Sequence, residues 1–540
     1  MLSLAFAATT AFFTTLRLRT YLQPFQQEEY DNTRLLKWWM EKRAFDRYAT
    51  VGLLIAIPFG LLQPHAPLLT AALWFIYRAK QEPDPTTTGK KTLTLTPRAR
   101  QLWYAASIMA AAAVGLIAVL PYMVPALPQA AMVQVALTIL LLQVLPFALI
   151  KANILLAPLR AAQNRQYLSE AAAILTRLAP ATVGITGSFG KTSTKYLLAH
   201  VLGGQAPTLA TPGSVNTPLG IARIVREQLQ PHHHYFLAEM GAYGPGSIAR
   251  LCQLAPPSIA CITAVGQAHY ERFKSLETVA RAKFEIAGAT LAHGGICVLN
   301  ADAIPDDLWQ PRVAAAPQSY RLVTARKAVA RAGDYYIEKV LQTSAGLALT
   351  IHHDSTPTAV TAPVHGMVQA GNLAVAFALA AELGLTSATI AAAMATAKPA
   401  PYRLNVQQVG RQTILDDSYN ANPTGFATAL ETLTLIATSG PTRRRRVLVT
   451  PGMVELGAAH TPEHTRLGQL AARNADIILA INPQRIPSFT QAVAQTGGAQ
   501  LHTFPALAAA RNWIQSNGLP DDVILIANDL PDRYEARWTL

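Results

Sequence analysis

The sequence is short of charge: Asp, Glu, Lys and Arg make up 14% of its 540 residues against 51% hydrophobic, and the mean hydropathy is +0.21. A chain of that length and apolarity exceeds one ordinary domain and does not read as wholly soluble. Cysteine is scarce. Cys252, Cys261 and Cys297 show neither the even count of a disulfide framework nor metal-ligand spacing, which fits core residues in a reducing compartment. Aromatics do not interleave with basic residues and no nucleic-acid recognition motif is present, so the formal charge of +14 does not imply a nucleic-acid partner. No small-residue cleavage site follows a basic leader, which favours an uncleaved first span over a removable signal. Neither internal repeats nor long disordered tracts stand out.

The positive charge is concentrated where the chain is most apolar: residues 1–160 hold 15 Lys and Arg against 7 Asp and Glu. Apolar runs cover residues 1–16, 49–63, 66–77, 102–124 and 129–150. The last two suit a bilayer about 30 Å thick, which takes roughly 20 residues per helix; the second and third are short enough to be re-entrant. Between runs lie Arg34, Lys37, Lys42, Arg43 and Arg47, then Arg78, Lys80, Lys90, Lys91, Arg98 and Arg100, while the hairpin turns carry no charge. Basic stretches stay cytoplasmic and attract anionic lipid. Residues 1–160 therefore read as an α-helical transmembrane domain of about five spans in the inner cell membrane, delivering everything after Lys151 to the cytoplasm. Residues 161–180 read as a linker helix.

Beyond it, short β-branched runs alternate with Ala-rich helical stretches, the pattern of parallel α/β domains. Strands are expected at 182–186, 235–240, 258–265 and 295–300, and a second series at 412–416, 446–450, 476–481 and 522–527. The domains divide near residues 399–402, giving 181–400 and 401–540.

The strongest local signal is Gly184-Ile185-Thr186-Gly187-Ser188-Phe189-Gly190-Lys191-Thr192-Ser193, between an expected strand and helix. Such a loop turns backbone N–H groups and a helix N-terminus toward phosphates, Lys191 toward the terminal phosphates and Thr192 toward a metal ion. It departs from the strict G-x-x-x-x-G-K-[ST] form, because Ile185 holds the first glycine's place. A hard cation bridging phosphates needs oxygen ligands, and Glu239 at a strand end beside the loop can supply one. His269 at the next strand end could help bind a second ion. Singly each of these two residues is more often structural; together, at successive strand ends, they read as metal ligands.

The spacing G-x-x-G-x-x-G-K-[ST] resembles that of the Mur ligase and folylpolyglutamate synthase superfamily. Further segments extend the resemblance over most of 180–460: Glu239-Met240-Gly241-Ala242, Gly266-Gln267-Ala268-His269, Ala280-Arg281-Ala282-Lys283-Phe284-Glu285, Asp416-Asp417-Ser418-Tyr419, and Gly452 to Gly457. Their order is that of the Mur ligases that add D-alanyl-D-alanine to a muramyl tripeptide. The resemblance implies a P-loop central domain and a Rossmann-like C-terminal domain. It also implies an ATP- and Mg²⁺-dependent ligase of peptidoglycan precursors that phosphorylates a carboxylate and lets an amine attack the acyl phosphate.

By the same resemblance Lys191, His269 and Lys283 are catalytic, with Lys283 carrying a carbamate as in several members. Gly187, Gly190, Thr192 and Ser193 hold the nucleotide, and Thr192, Glu239 and His269 hold metal. Asn372 sits where the family usually has a His-Asn pair near the adenine, and Arg403 and Asp417 approach the phosphates and ribose as the domains close. Three features depart from the family: a membrane segment where members hold the UDP end of the precursor, Pro451-Gly452-Met453 for Gly-Asp-Met, and residues 527–533 in place of Lys-Gly-Ser. They leave open whether the acceptor is a soluble UDP-linked precursor or a lipid-linked one, and whether the amine is D-alanyl-D-alanine or another. A different class, a membrane scaffold or transport protein with a nucleotide switch, is the remaining alternative.

Overall fold

A computed structural model describes all residues except 42–43, 88–91, 125–128, 267–272, 274, 355, 420–421, 455 and 529–540. The chain forms two compact units, residues 1–163 and 164–529.

The first unit is helical: α1 (Leu2–Gln27), α2 (Asn32–Glu41), α3 (Arg47–Ala56), α4 (Ala66–Gln81), α5 (Pro97–Met123) and α6 (Ala130–Leu155). Local signals set the helix starts. The Asp46 side chain accepts from the Ala49 N–H ahead of α3, and Thr96 accepts from the Ala99 N–H ahead of α5, where Pro97 takes the first position. Of the five expected spans, two meet, among the described residues, the length and composition needed to cross a membrane, 97–120 and 130–155, a test that the core helix of a soluble protein also passes. The expectation of about five spans is corrected accordingly to two candidates. Helices α3 and α4 have 10 and 16 residues, and α1, longer than its apolar run, carries Arg17 and Arg19. Arg17 is 1% exposed and pairs with Asp46 at 3.1 Å and Glu82 at 3.3 Å, which ties α1 to the start of α3 and the end of α4.

The second unit opens on α7 (Ala157–Leu178), into which the boundary between the units falls. Its larger sheet has the order β2-β3-β1-β4-β5-β6-β7-β8-β9. The strands are β1 (Ala181–Thr186), β2 (Thr208–Ala210), β3 (Tyr235–Glu239), β4 (Ile259–Ile262), β5 (Ile296–Asn300), β6 (Tyr320–Thr324), β7 (Tyr335–Thr343), β8 (Gly346–His353) and β9 (Thr356–Ala362). Pairing is parallel from β2 to β7 and antiparallel from β7 to β9. Alternate residues of each strand feed opposite faces. Phe236, Ala260, Ile262 and Leu299 enter a core with α9 (Pro218–Gln228), α10 (Ser247–Leu254) and α11 (Leu276–Leu291). Val183, Ile185, Leu237 and Val298 enter another with α8 (Lys191–Gly203) and α12 (Gln369–Glu382). All three cysteines are buried and free, as expected of core residues, and burial pushes the Cys252 thiol up to about 12.

The smaller sheet has the order β10-β11-β15-β12-β13-β14, from β10 (Asn405–Val409) and β11 (Gln412–Asp417) through β12 (Arg446–Thr450), β13 (Ile477–Ile481) and β14 (Gln500–Phe504) to β15 (Val523–Ala527). Between the sheets, Tyr402 and Leu404 on either side of Arg403 both have left-handed backbone, with φ of 60° and 49°. That conformation is uncommon for a bulky residue and costs on the order of 1–3 kcal/mol.

Candidate active site

The phosphate loop runs from the end of β1 into α8, and its glycines are required by neighbours as well as by backbone. Gly190 has φ of 82°, and a Cβ there would lie 2.3 Å from the Asn372 side-chain oxygen. Thr194 donates to the same Asn372 oxygen at 3.4 Å, while Gln369, one turn earlier on α12, donates to Ser193 at 3.4 Å and accepts from the Asn372 amide at 2.8 Å. Asn372 thus packs under the start of α8. The Lys191 ammonium folds back onto its own loop, donating to the Gly187 carbonyl at 2.8 Å. Burial pulls this lysine below its ordinary range; Glu239 opposes the shift, and Arg403 and Lys195 add to it.

Strand β3 delivers Glu239 to the loop, 1% exposed. One carboxylate oxygen accepts from the Thr192 hydroxyl at 2.9 Å and from Lys195 at 3.0 Å, and the other accepts from Asn216 at 3.2 Å. Thr192 and Glu239 therefore meet as expected. Among the described residues no three His, Cys, Asp or Glu side chains converge to hold a metal. A hydroxyl beside a carboxylate nevertheless fits a hard cation that takes its other oxygens from phosphate and water. His269 lies outside the described residues.

Lys283 comes from α11, 5% exposed, and with Gly187, Ser188, Lys191, Asn216 and Gly241 it lines a cavity of about 30 Å³, room for ordered water. Burial, and then the Lys191 charge, hold its amine well below the ordinary lysine range. A neutral amine is the form that adds to carbon dioxide, so this surrounding fits a carbamate as well as a plain lysine.

Arg403 enters from the segment between the sheets. Its guanidinium stacks 4.2 Å from the Tyr419 ring centre, and burial lowers its pKa against the opposing pull of Asp417, Tyr419 and Glu239. Asp417 accepts from the Leu404 N–H at 3.1 Å; burial pushes its carboxyl up to about 7, with Arg403 and that N–H working the other way. Ser188, Thr263 and Gly266 tie the loop to the end of β4, with Ser188 accepting from the Gly266 N–H at 2.9 Å.

Sequence reasoning passed over Lys195, Asn216 and Tyr243. Lys195 stands one turn after Lys191 on α8, between the polar Thr192 to Thr194 and the apolar Leu197 and Leu198, so its neighbours do not mark it as inward-facing. Asn216 sits in the Pro- and Gly-rich turn after β2, and the Tyr243 hydroxyl donates to it at 2.9 Å.

The second unit also resembles known proteins. A family described as Mur ligase middle domain matches residues 185–380, and one described as Mur ligase, glutamate ligase domain matches residues 402–528. The chain is similar to the UDP-N-acetylmuramoyl-tripeptide--D-alanyl-D-alanine ligase of Mycobacterium tuberculosis (strain ATCC 25618 / H37Rv), 37% identical over 298 residues that cover 54% of this chain and 56% of that protein. The protein of the same name in Escherichia coli (strain K12) is 33% identical over 324 residues, covering 59% and 69%. Among solved structures, MurF from Acinetobacter baumannii is 27% identical with a TM-score of 0.59, covering 68% of this chain and 77% of that one. The chain spans little more than half the length of the mycobacterial relative.

Proposed function

The chain belongs to the Mur ligase family, and from that premise we propose that it is an ATP-dependent amide-bond ligase that adds D-alanyl-D-alanine to a muramyl peptide during peptidoglycan synthesis. The observation that carries this reading is the meeting of Lys191, Thr192 and Glu239 around one loop, with Lys283 in the same cavity. A carboxylate is a poor acyl donor, so the terminal phosphoryl group of ATP is first transferred to it, and the incoming amine then displaces phosphate from the acyl phosphate. Lys191 and the loop N–H groups stabilise charge that develops on the transferred phosphoryl group. Thr192 and Glu239, with His269 for a second ion, would hold Mg²⁺, which would supply further neutralisation of the phosphates. Gly187, Gly190 and Ser193 hold the phosphates. Asn372 supports the loop from below on the side expected to face adenine. Arg403 and Asp417 bring the C-terminal part of the chain onto the nucleotide and, with it, exclude the water that would hydrolyse the acyl phosphate. A carbamate on Lys283 would replace a positive by a negative group facing the cations.

We place residues 1–163 at the membrane, with α5 and α6 as its crossing helices and the ligase domains on the cytoplasmic side. In its most apolar window α5 is only 22% buried within the protein, and Ile108 and Leu116 on α5 and Leu140 and Val144 on α6 lie exposed; large apolar side chains left exposed on both helices suit a lipid cover. That helical unit, standing ahead of the matched family domains, favours a second acceptor class, a lipid-linked precursor. A scaffold with a nucleotide switch would not require the buried Lys283 beside an intact Lys191 and Glu239. Phosphate release by detergent-solubilised protein, with UDP-linked and lipid-linked muramyl peptides and D-alanyl-D-alanine as amine, tests the reading. Amide products identified by mass support it; the absence of acceptor-dependent phosphate release with either acceptor refutes it.

A further inference from the structure

We propose that Lys195 is a positioning residue: it pins one oxygen of Glu239 and the loop carrying Asn216, so that the carboxylate presents its remaining lone pairs to the cation that accompanies the nucleotide. The proposal rests on the reading of Thr192 and Glu239 as the cation site.

Lys195 is 0% exposed, in a protein interior where an ammonium is costly unless paired and hydrogen-bonded. It has three acceptors: Glu239 at 3.0 Å, the Gly213 carbonyl at 2.6 Å and the Thr211 hydroxyl at 3.5 Å. An ammonium carries three donors, and here each has a partner. It cannot serve the phosphates as Lys191 does, because its donors are committed on the side of the helix that faces β3 and the turn after β2. What those partners share is the metal-facing end of β3. The Thr211 hydroxyl also accepts from the Glu239 backbone N–H at 3.2 Å, and the Asn216 carbonyl accepts from the Gly241 N–H at 3.0 Å. Backbone and side chain of Glu239 are thus clamped from two directions, and the lysine is the one charged member of the clamp. A carboxylate that ligates a cation gains when its own rotation is already frozen by a hydrogen bond from a fixed donor, the ordinary logic of outer-shell partners. Lys195 supplies that bond with a full charge, and its helix anchors it to the phosphate loop one turn away. The separation between cation site and phosphate loop is thereby set within a single rigid element.

The test uses the full-length chain in detergent and reads ADP affinity by calorimetry with and without Mg²⁺, so that it does not depend on turnover. Lys195→Met should leave Mg²⁺-free ADP affinity within about twofold of the parent while lowering the gain produced by Mg²⁺ by about tenfold or more, the usual loss on removing an outer-shell partner. In a Glu239→Gln background the same substitution should add no further loss, since the group it positions is gone. Lys195→Gln, which keeps a donor for Gly213, is read in the same way if the methionine variant does not fold. A folded Lys195 variant that keeps the full Mg²⁺ gain overturns the proposal and leaves the cation site standing. A parent protein whose ADP affinity ignores Mg²⁺ overturns the cation-site reading as well, and a lysine that acts only on folding would lower both affinities together.

Discussion

Three side chains carry most of what the site can do, and each responds differently to removal. Lys191 is the only basic residue within the phosphate loop, so Lys191→Ala should lower ATP turnover by at least about 10²-fold, the scale on which one preorganised donor to developing charge contributes. Coupled phosphate release measures it, and near-normal turnover would remove the phosphate-loop reading. Lys283 is buried and faces another lysine. If its carbamate is the working form, Lys283→Ala is inactive and regains part of its rate when short-chain carboxylic acids are added; full activity without them would make it an ordinary core lysine. For Asp417, desolvation keeps the carboxyl protonated in the folded chain up to about pH 7, against 3.8 for the free group. A raised carboxyl contributes stability that is complete below the unfolded value and is lost as pH rises through the folded one. Thermal stability of the parent should therefore fall between about pH 4 and about pH 7 more than that of Asp417→Asn. Equal slopes would show that Arg403 already neutralises the site.

At the scale of elements, the junction of β1 and α8 is the least tolerant point. Gly190→Ala faces a left-handed backbone, about 1–2 kcal/mol for a residue with a Cβ, and a collision with Asn372. Adding Asn372→Ala should recover the collision and leave the backbone part, which unfolding of the single and double variants separates; no recovery would mean that Asn372 does not press on the loop. Eight of the parallel strands were legible as short β-branched runs, and their observed bounds agree with expectation to within one residue at every end but one, whereas β2, β6 and β14, also paired in parallel, were not among the expected strands. Strand β4 is the exception, at Ile259–Ile262 within an expected 258–265, because Thr263 to Val265 turn away to hold the phosphate loop. Strands β7 to β9 escaped notice. Their sequences, such as Tyr335 to Thr343, mix charge and amide side chains on a half-exposed antiparallel ribbon and lack the continuous apolar runs of a covered parallel sheet. In the site, Lys191 and Glu239 could be read from motif and strand end, whereas Lys195 and Asn216 acquire meaning only when β2 and β3 pair and bring the turn after β2 against the carboxylate.

For the whole molecule the open matter is what residues 1–163 do for the ligase domains. A chain beginning at Leu159 keeps the second unit intact and should remain in solution without detergent. If the helical unit serves acceptor access, that chain retains its efficiency on a UDP-linked muramyl peptide and loses at least about tenfold on a lipid-linked one, a loss of effective concentration at the membrane. Equal efficiency on both would reduce the unit to a tether. Salt extraction separates crossing from surface attachment: release of the full chain by high salt would show that it lies on the membrane by charge. The ion pairs of Arg17 also impose an order of events. Its partners Asp46 and Glu82 are synthesised later, so the first helix emerges from the ribosome with a guanidinium that has nowhere dry to go. The buried place of Arg17 in α1 is therefore complete only once the chain through Glu82 has been made.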